Sequence, residues 1–255
     1  MNTRSLLLKL SKRFPKSIAK KYHDYVGLMC GKLKENTHKI LLCLDFDEEV
    51  METALKVHPD LIITHHPFIY GTPKKALKRD LRKQELVNRI LENDFVIYSM
   101  HTNFDEGRGG MNDALALSLG LENIRPLELA PMGRIGDLKT PLDLYDFAKY
   151  AKEHLGVDYG LLVDAGNKTI KTVAIIGGGG SRTYYAAIKE NADIYISGDA
   201  PHHVRRSIIQ EKFNYLDLPH EIEKIFMETM KNILLEYDDS LEIVIVDHEK
   251  LPKVI

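Results

Sequence analysis

The sequence has no tryptophan, only two cysteines, and no apolar run near the roughly 20 residues that cross a bilayer. Cys30 and Cys43 are too few for a disulfide scaffold and fit a reducing compartment. An excess of one charge is missing too. Thirty-five Lys+Arg against 37 Asp+Glu leave a formal charge of −2, so no global field attracts a nucleic acid or an acidic membrane face. The opening MNTRSLLLKLSKRFPK has its apolar stretch broken by Lys9 and ends without a small-residue cleavage site, so it does not read as a signal peptide. These absences predict a cytoplasmic protein with neither a membrane nor a nucleic acid as partner. At 255 residues, 44 % hydrophobic and 28 % charged, the chain can bury a core, which excludes wholesale disorder and allows one large or two small domains.

What is present in excess is histidine. Of the 11, two adjacent pairs (His65–His66 and His202–His203) and two singles (His101 and His220) sit beside acidic residues.

Periodicity predicts an amphipathic helix over the first twenty residues, on Leu6, Leu7, Leu10, Phe14 and Ile18, then a turn flanked by Gly27 and Gly31. Short apolar runs predict strands at 39–45, 61–64 and 95–99. Helices are expected from Asp47 to Lys56, over 77–93 and over 111–119. A looser stretch, 126–141, follows. Beyond it Thr140 is read as a cap and Pro141 as the opening of a helix over 142–155. Strands at 160–163, 172–176 and 193–197, a helix over 182–191, a strand at 214–218, a helix from His220 to Tyr237 and a last strand at 242–246 complete the pattern. Alternation of this kind predicts an α/β fold of two halves with mixed, mostly parallel sheets flanked by helices. The first half is expected over 1–125, rejoined by 215–255, and the second over 126–214.

The acid/histidine groups share a location: HHP follows the second strand, HTNFD the third, GDAPHH a later one and PHEIE another. In open α/β sheets ligands gather outside the carboxyl ends of strands, so groups far apart in sequence can converge there. Past the strand end Pro67 holds His66 extended, and two rings can then address one pocket. Asp105 stands four residues after His101, as a metal-bridging carboxylate or as a cap on the next segment. His220 and Glu223 at i and i+3 share a helix face, as a ligand pair or as a solvated helix end. Together His65, His66, Asp105, His220 and Glu223 form an N/O donor set that suits Zn, Fe(II), Mn or Ni. Two divalent ions roughly 3.5–4 Å apart would activate water for hydrolysis near neutral pH.

These motifs resemble the Nif-three-like dinuclear metal-centre family, many of whose members carry the name GTP cyclohydrolase 1 type 2 homolog. The matching stretches are YVGLMCG (25–31), LDFDEEV (44–50), DLIITHHPFI (60–69), MHTNFD (100–105), GMNDALA (110–116), GRIG (133–136), VAIIGGGG (173–180), ISGDAPHH (196–203) and PHEIEKIF (219–226). The resemblance implies the Nif-three-like fold, metal ligation by the same five residues and assembly into a homohexamer. It places His101, Asp199 and His203 in the pocket, Asp199 supporting a ligand and His101 or His203 moving a proton. Pro219 replaces a glycine common in the family, and His23–Asp24–Tyr25 replaces an acidic, Trp-containing lead-in.

Two readings of function follow. One is a metal-dependent hydrolase of a nucleotide or another phosphorylated small molecule; the other is a non-enzymatic, metal-binding scaffold or regulatory protein. Weaker signals are Gly177–Gly180, a phosphate cradle or a tight strand-to-helix turn, and Arg205 with Arg206, a phosphate clamp or solvated helix charge.

Overall fold

The computed structural model describes residues 1–71 and 77–253. The sequence from Lys74 to Lys83 carries several bases, expected as a charged outer helix face, and its part before residue 77 lies outside the described residues. The chain forms two compact units, Met1–Gly110 with Phe226–Glu249, and Met111–Ile225 with the C-terminal residues from Lys250.

The first unit is built on a five-stranded sheet in the order β1-β4-β3-β2-β11, from Gly27–Cys30, Ile97–Ser99, Leu61–Thr64, Lys39–Cys43 and Glu242–Ile245. All neighbours are parallel except β1, which runs antiparallel to β4 at the edge. Parallel strands are covered on both faces. Leu41, Cys43, Ile62 and Ile97 pack one face against Val50, Met51 and Ala54 of α3 (Glu48–Val57) and Leu86 and Ile90 of α4 (Leu81–Glu92). Ile40, Leu42, Leu61 and Ile63 point the other way and are fully buried as well. Asp47 caps α3 by accepting from Val50 N at 3.0 Å, and the helix stops at His58, left-handed at φ 49° ahead of Pro59.

The first twenty residues are two helices, not one: α1 (Thr3–Arg13) and α2 (Lys16–Lys21). Pro15 separates them because its ring excludes the helical conformation from the residue before it. The stretch between Gly27 and Gly31 is likewise a strand, β1, rather than a turn. Its glycines bound the strand at positive φ (107° and 84°).

The second unit has a six-stranded sheet in the order β5-β6-β8-β9-β10-β7, from Glu122–Pro126, Arg134–Asp143, Thr169–Ile175, Ile194–Ser197, Asn214–Asp217 and Leu161–Val163. β8, β9 and β10 are parallel; β5, β6 and β7 are antiparallel to their neighbours. Ala174, Tyr195 and Tyr215 form its core with Ala186 and Ala187 of α8 (Tyr184–Lys189) and Val204 and Ile208 of α9 (His202–Gln210). The looser stretch of the sequence is in fact the β5–β6 hairpin. Thr140 and Pro141 lie inside β6, where the register shifts between Asp137 and Leu142 and Pro141 needs no ladder partner. Helix α7 (Leu144–His154) therefore begins later than expected, capped by Asp143, whose carboxylate accepts from Tyr145 N at 2.8 Å. Among the described residues, no helix is long and apolar enough to cross a membrane.

Candidate metal centre

In the first unit three parallel strands end in chemistry. Two residues past β2 stands Asp45, directly past β3 stand His65 and His66, and past β4 stands His101. The backbone beyond β3 is pinned: His66 N donates to Leu44 O at 3.0 Å, and Thr64 Oγ1 donates to His66 O at 2.8 Å. One ring nitrogen from each of His65, His66 and His101 falls within 4.8 Å of the others, close enough to hold one metal ion. Asp105, buried inside α5 (Thr102–Glu106), brings Oδ1 to 3.5 Å from His65 Nε2; it lies within the helix and does not cap it.

Tautomers decide which nitrogens can ligate. His65 is fully buried, and its Nδ1 lies 2.9 Å from Met100 O. A carbonyl can only accept, so Nδ1 carries the proton and Nε2 keeps the lone pair. His66 Nδ1 lies 2.7 Å from Asp45 Oδ2, and His101 Nδ1 lies 2.8 Å from Asp24 Oδ2. Asp24 comes just before the edge strand β1, whose antiparallel pairing with β4 (Gly27 opposite Ser99) carries it to the end where His101 stands. Burial alone would raise its pKa, but hydrogen bonds from His101, Thr102 and Tyr25 N outweigh that and hold it down to about 2. It is ionised at neutral pH and accepts the His101 proton.

A depressed carboxylate stabilises the fold above its ordinary pKa, and that contribution is lost as the pH falls through the depressed value. Asp24→Asn is therefore expected to lower the melting temperature of the metal-free protein at pH 6, by an amount that shrinks as the pH approaches 2. It is also expected to weaken metal binding by about tenfold at most, since the His101 ring, packed against those of the ligands His65 and His66, loses its orienting acceptor. Melting curves across pH and a competitive metal titration check both. A pH-independent difference would remove the role given to Asp24.

The second unit repeats the placement. The segments beyond β8, β9 and β10 carry Gly177–Gly180, Asp199 and His220. His220 and Glu223 lie on a single 3-10 turn, His220–Lys224, rather than on the α-helix expected; α10 (Ile225–Tyr237) starts after it. Three residues per turn puts i and i+3 on one face all the same. His220 Nε2 is 3.1 Å from Glu223 Oε2, and His220 Nδ1 is 2.6 Å from Asp199 Oδ2. Hydrogen bonding to Glu223, then its charge and Asp199, outweighs burial and raises the His220 pKa to about 9.

Gly178 makes room for this pair. Its φ is +61°, and a Cβ there would contact Glu223 Oε1 and come within 3.0 Å of His220 Nε2. The loop is fixed by Asn112, which accepts from Gly177 N at 2.7 Å, and by Gly178 O, which accepts from Gly198 N at 2.7 Å. Gly177–Gly180 is thus a tight strand-to-helix turn that backs a carboxylate. His203 is exposed on the first turn of α9, with no side-chain hydrogen bond to Asp199 or His220. Arg205 pairs with Asp217 at 3.6 Å.

Sequence reasoning gave no role to Asp24, Asp45 or Asn112. The signal for Asp45 was its place just after a strand; Asp24 and Asn112 depend on long-range pairings that no local pattern shows.

The family model Duf34/NIF3 (NGG1p interacting factor 3) matches residues 1–252. The chain belongs to this family. It is 30 % identical to the GTP cyclohydrolase 1 type 2 homolog of Clostridium perfringens over 237 residues, covering 90 % of each chain. It is 31 % identical to the homolog of the same name from Streptococcus pneumoniae, over 85 % of this chain and 84 % of that one. Among solved structures, the Bacillus cereus protein related to NIF3 shares the fold at TM-score 0.90 and 22 % identity, over 100 % of this chain and 99 % of that one. Reduced HcgD from Methanocaldococcus jannaschii matches at TM-score 0.80 and 27 % identity, over 97 % and 98 %.

Proposed function

We propose that this DUF34/NIF3 member is a divalent-metal-dependent hydrolase of a nucleotide or another phosphorylated small molecule. His65, His66 and Asp105 of the first unit and His220 and Glu223 of the second supply the ligands for two ions, of Zn, Fe, Mn or Ni. The observation that carries this reading is the tautomer arrangement. Each of the three proposed histidine ligands, His65, His66 and His220, has Nδ1 on a carbonyl or carboxylate oxygen at 2.6–2.9 Å, as does His101 beside them. Metal-ligating histidines are held in this way, with Nε2 given to the ion.

When bound, a divalent ion supplies Lewis acidity and a nucleophile at neutral pH. The chain's own residues do the rest. Asp24, Asp45 and Asp199 fix ring orientation, and Gly178 keeps the Glu223 carboxylate in place. His101, backed by ionised Asp24, is the group that takes up a proton, with His203 as a second carrier reaching from solvent. A homohexamer in the cytoplasm is the proposed assembly and setting. The names of the relatives point to GTP as the first substrate to try.

The test is turnover by the metal-loaded protein against nucleotides and phosphoesters, with Asp105→Ala as the control. Turnover that disappears in the variant supports the hydrolase; a metal-loaded protein that turns over none of them leaves the scaffold reading. The raised His220 pKa gives a separate prediction. In the metal-free protein its stabilisation is complete below about pH 6.5 and lost as the pH rises through about 9. Metal must displace that proton, so uptake at pH 7.5 should release protons and metal affinity should climb up to about pH 9. Calorimetry in buffers of different ionisation enthalpy measures the release, and His220→Gln should reduce it.

A further inference from the structure

Lys16 and Lys20 stand at i and i+4 on α2, so their side chains share one face. Like charges at that spacing repel, and neither ammonium has a carboxylate partner among the described residues. The adjacent Lys21, by contrast, is paired with Glu106 at 2.6 Å. Both lysines line a pocket of about 270 Å³ whose apolar wall is Tyr25, Leu28, Met29 and Ile69. Tyr25 and Leu28 keep 43 % and 47 % of their surface exposed, a cost the fold gains nothing from. Lys16 is steadied by the Tyr98 ring, its Nζ 5.5 Å from the ring centre. The inner wall is Asp24, whose oxygens are turned to His101, Thr102 and Tyr25 N. The pocket therefore abuts the carboxylate that orients one histidine of the candidate metal centre.

We propose that this pocket holds a phosphorylated small molecule by its non-reacting part, with Lys16 and Lys20 on a phosphoryl group and Tyr25 and Leu28 against a planar or apolar body. The assignment rests on the hydrolase reading and adds to it where the substrate is gripped and by what chemistry. A phosphate carries nearly two negative charges at neutral pH, and two lysines are point charges suited to it. The volume is close to the lower end of the range for small-molecule sites, about 300–1,000 Å³, enough for a base or sugar with its phosphate.

The experiment is equilibrium binding of GTP, guanosine and inorganic pyrophosphate to the full-length, metal-loaded protein, with metal content measured on the same samples. Lys20→Met alone, and with Lys16→Met, should weaken GTP and pyrophosphate by about tenfold or more, the worth of a charge-assisted contact. Tyr25→Ala should weaken GTP and guanosine and spare pyrophosphate. Both lysines are exposed, so the variants should fold, and unchanged melting curves confirm it. Unaltered GTP affinity in the double variant overturns the pocket. With metal content and turnover at native levels, that result leaves the hydrolase reading standing. Native protein that binds none of the three probes at millimolar concentration overturns the pocket as well.

Discussion

Purified protein is expected to carry about two divalent ions per chain, and His65→Ala to lose most of the metal it holds through the first unit. His65 is fully buried, with its ring 5.1 Å from that of Phe226 and Nδ1 committed to Met100 O, so no other orientation is open to it. Truncation removes a fully buried donor that solvent cannot replace. Loss of an orienting partner costs about 10–100-fold in affinity, and loss of a ligand itself should exceed that. His66→Ala, at a position partly open to water, should cost less than His65→Ala. Elemental analysis after exhaustive dialysis gives the stoichiometry, and circular dichroism shows whether the variant stays folded. A folded His65→Ala protein with native metal content would refute the assignment of the first unit. Glu223→Gln is the matching test of the second.

Arg134→Met should cause the largest loss of stability, about 3–5 kcal/mol, because it strips a buried ion pair of one partner. Arg134 is 2 % exposed and uses its whole fork. Nε and Nη2 engage both oxygens of Asp113, while Nη1 donates to the carbonyls of Pro131, Met132 and Gly133 at 3.0–3.1 Å. The guanidinium thus ties α6 (Met111–Ser118) to the turn between β5 and β6. Without it a carboxylate and three carbonyls lose their donor together. The second unit's thermal transition should fall by about 10 °C or more. Replacing Asp113 by Leu in the same chain should recover part of the loss, since the uncompensated charge is then gone. Scanning calorimetry reads both; an additive double variant would show that the pair is not coupled.

Much of this was legible in the sequence where structure follows from local chemistry. Leu61–Thr64 read as a buried strand because four apolar or β-branched residues in a row suit a sheet covered on both faces. Asp47 read as the start of a helix, and the structure makes it the residue just before, the cap whose side chain has only to reach the next turn. His65, His66, His101 and His220 stood out because each follows such a run. Features that depend on distant partners were not legible. The β5–β6 hairpin was missed because β5 is an exposed edge with little apolar pattern. The helix break at Pro15 was overridden by a periodicity that continues across it. Asp24 and Asp45 are acids among many until the sheet carries them 77 and 21 residues along the chain to their histidines.

In both units the reactive side chains sit past the carboxyl ends of parallel strands, on connecting segments rather than in the sheets. That separation makes the chemistry replaceable. Exchanging Asp45, His66 or Asp199 for other donors would retune which ion is preferred while the sheets beneath keep their shape, so one scaffold offers a starting point for several metal selectivities.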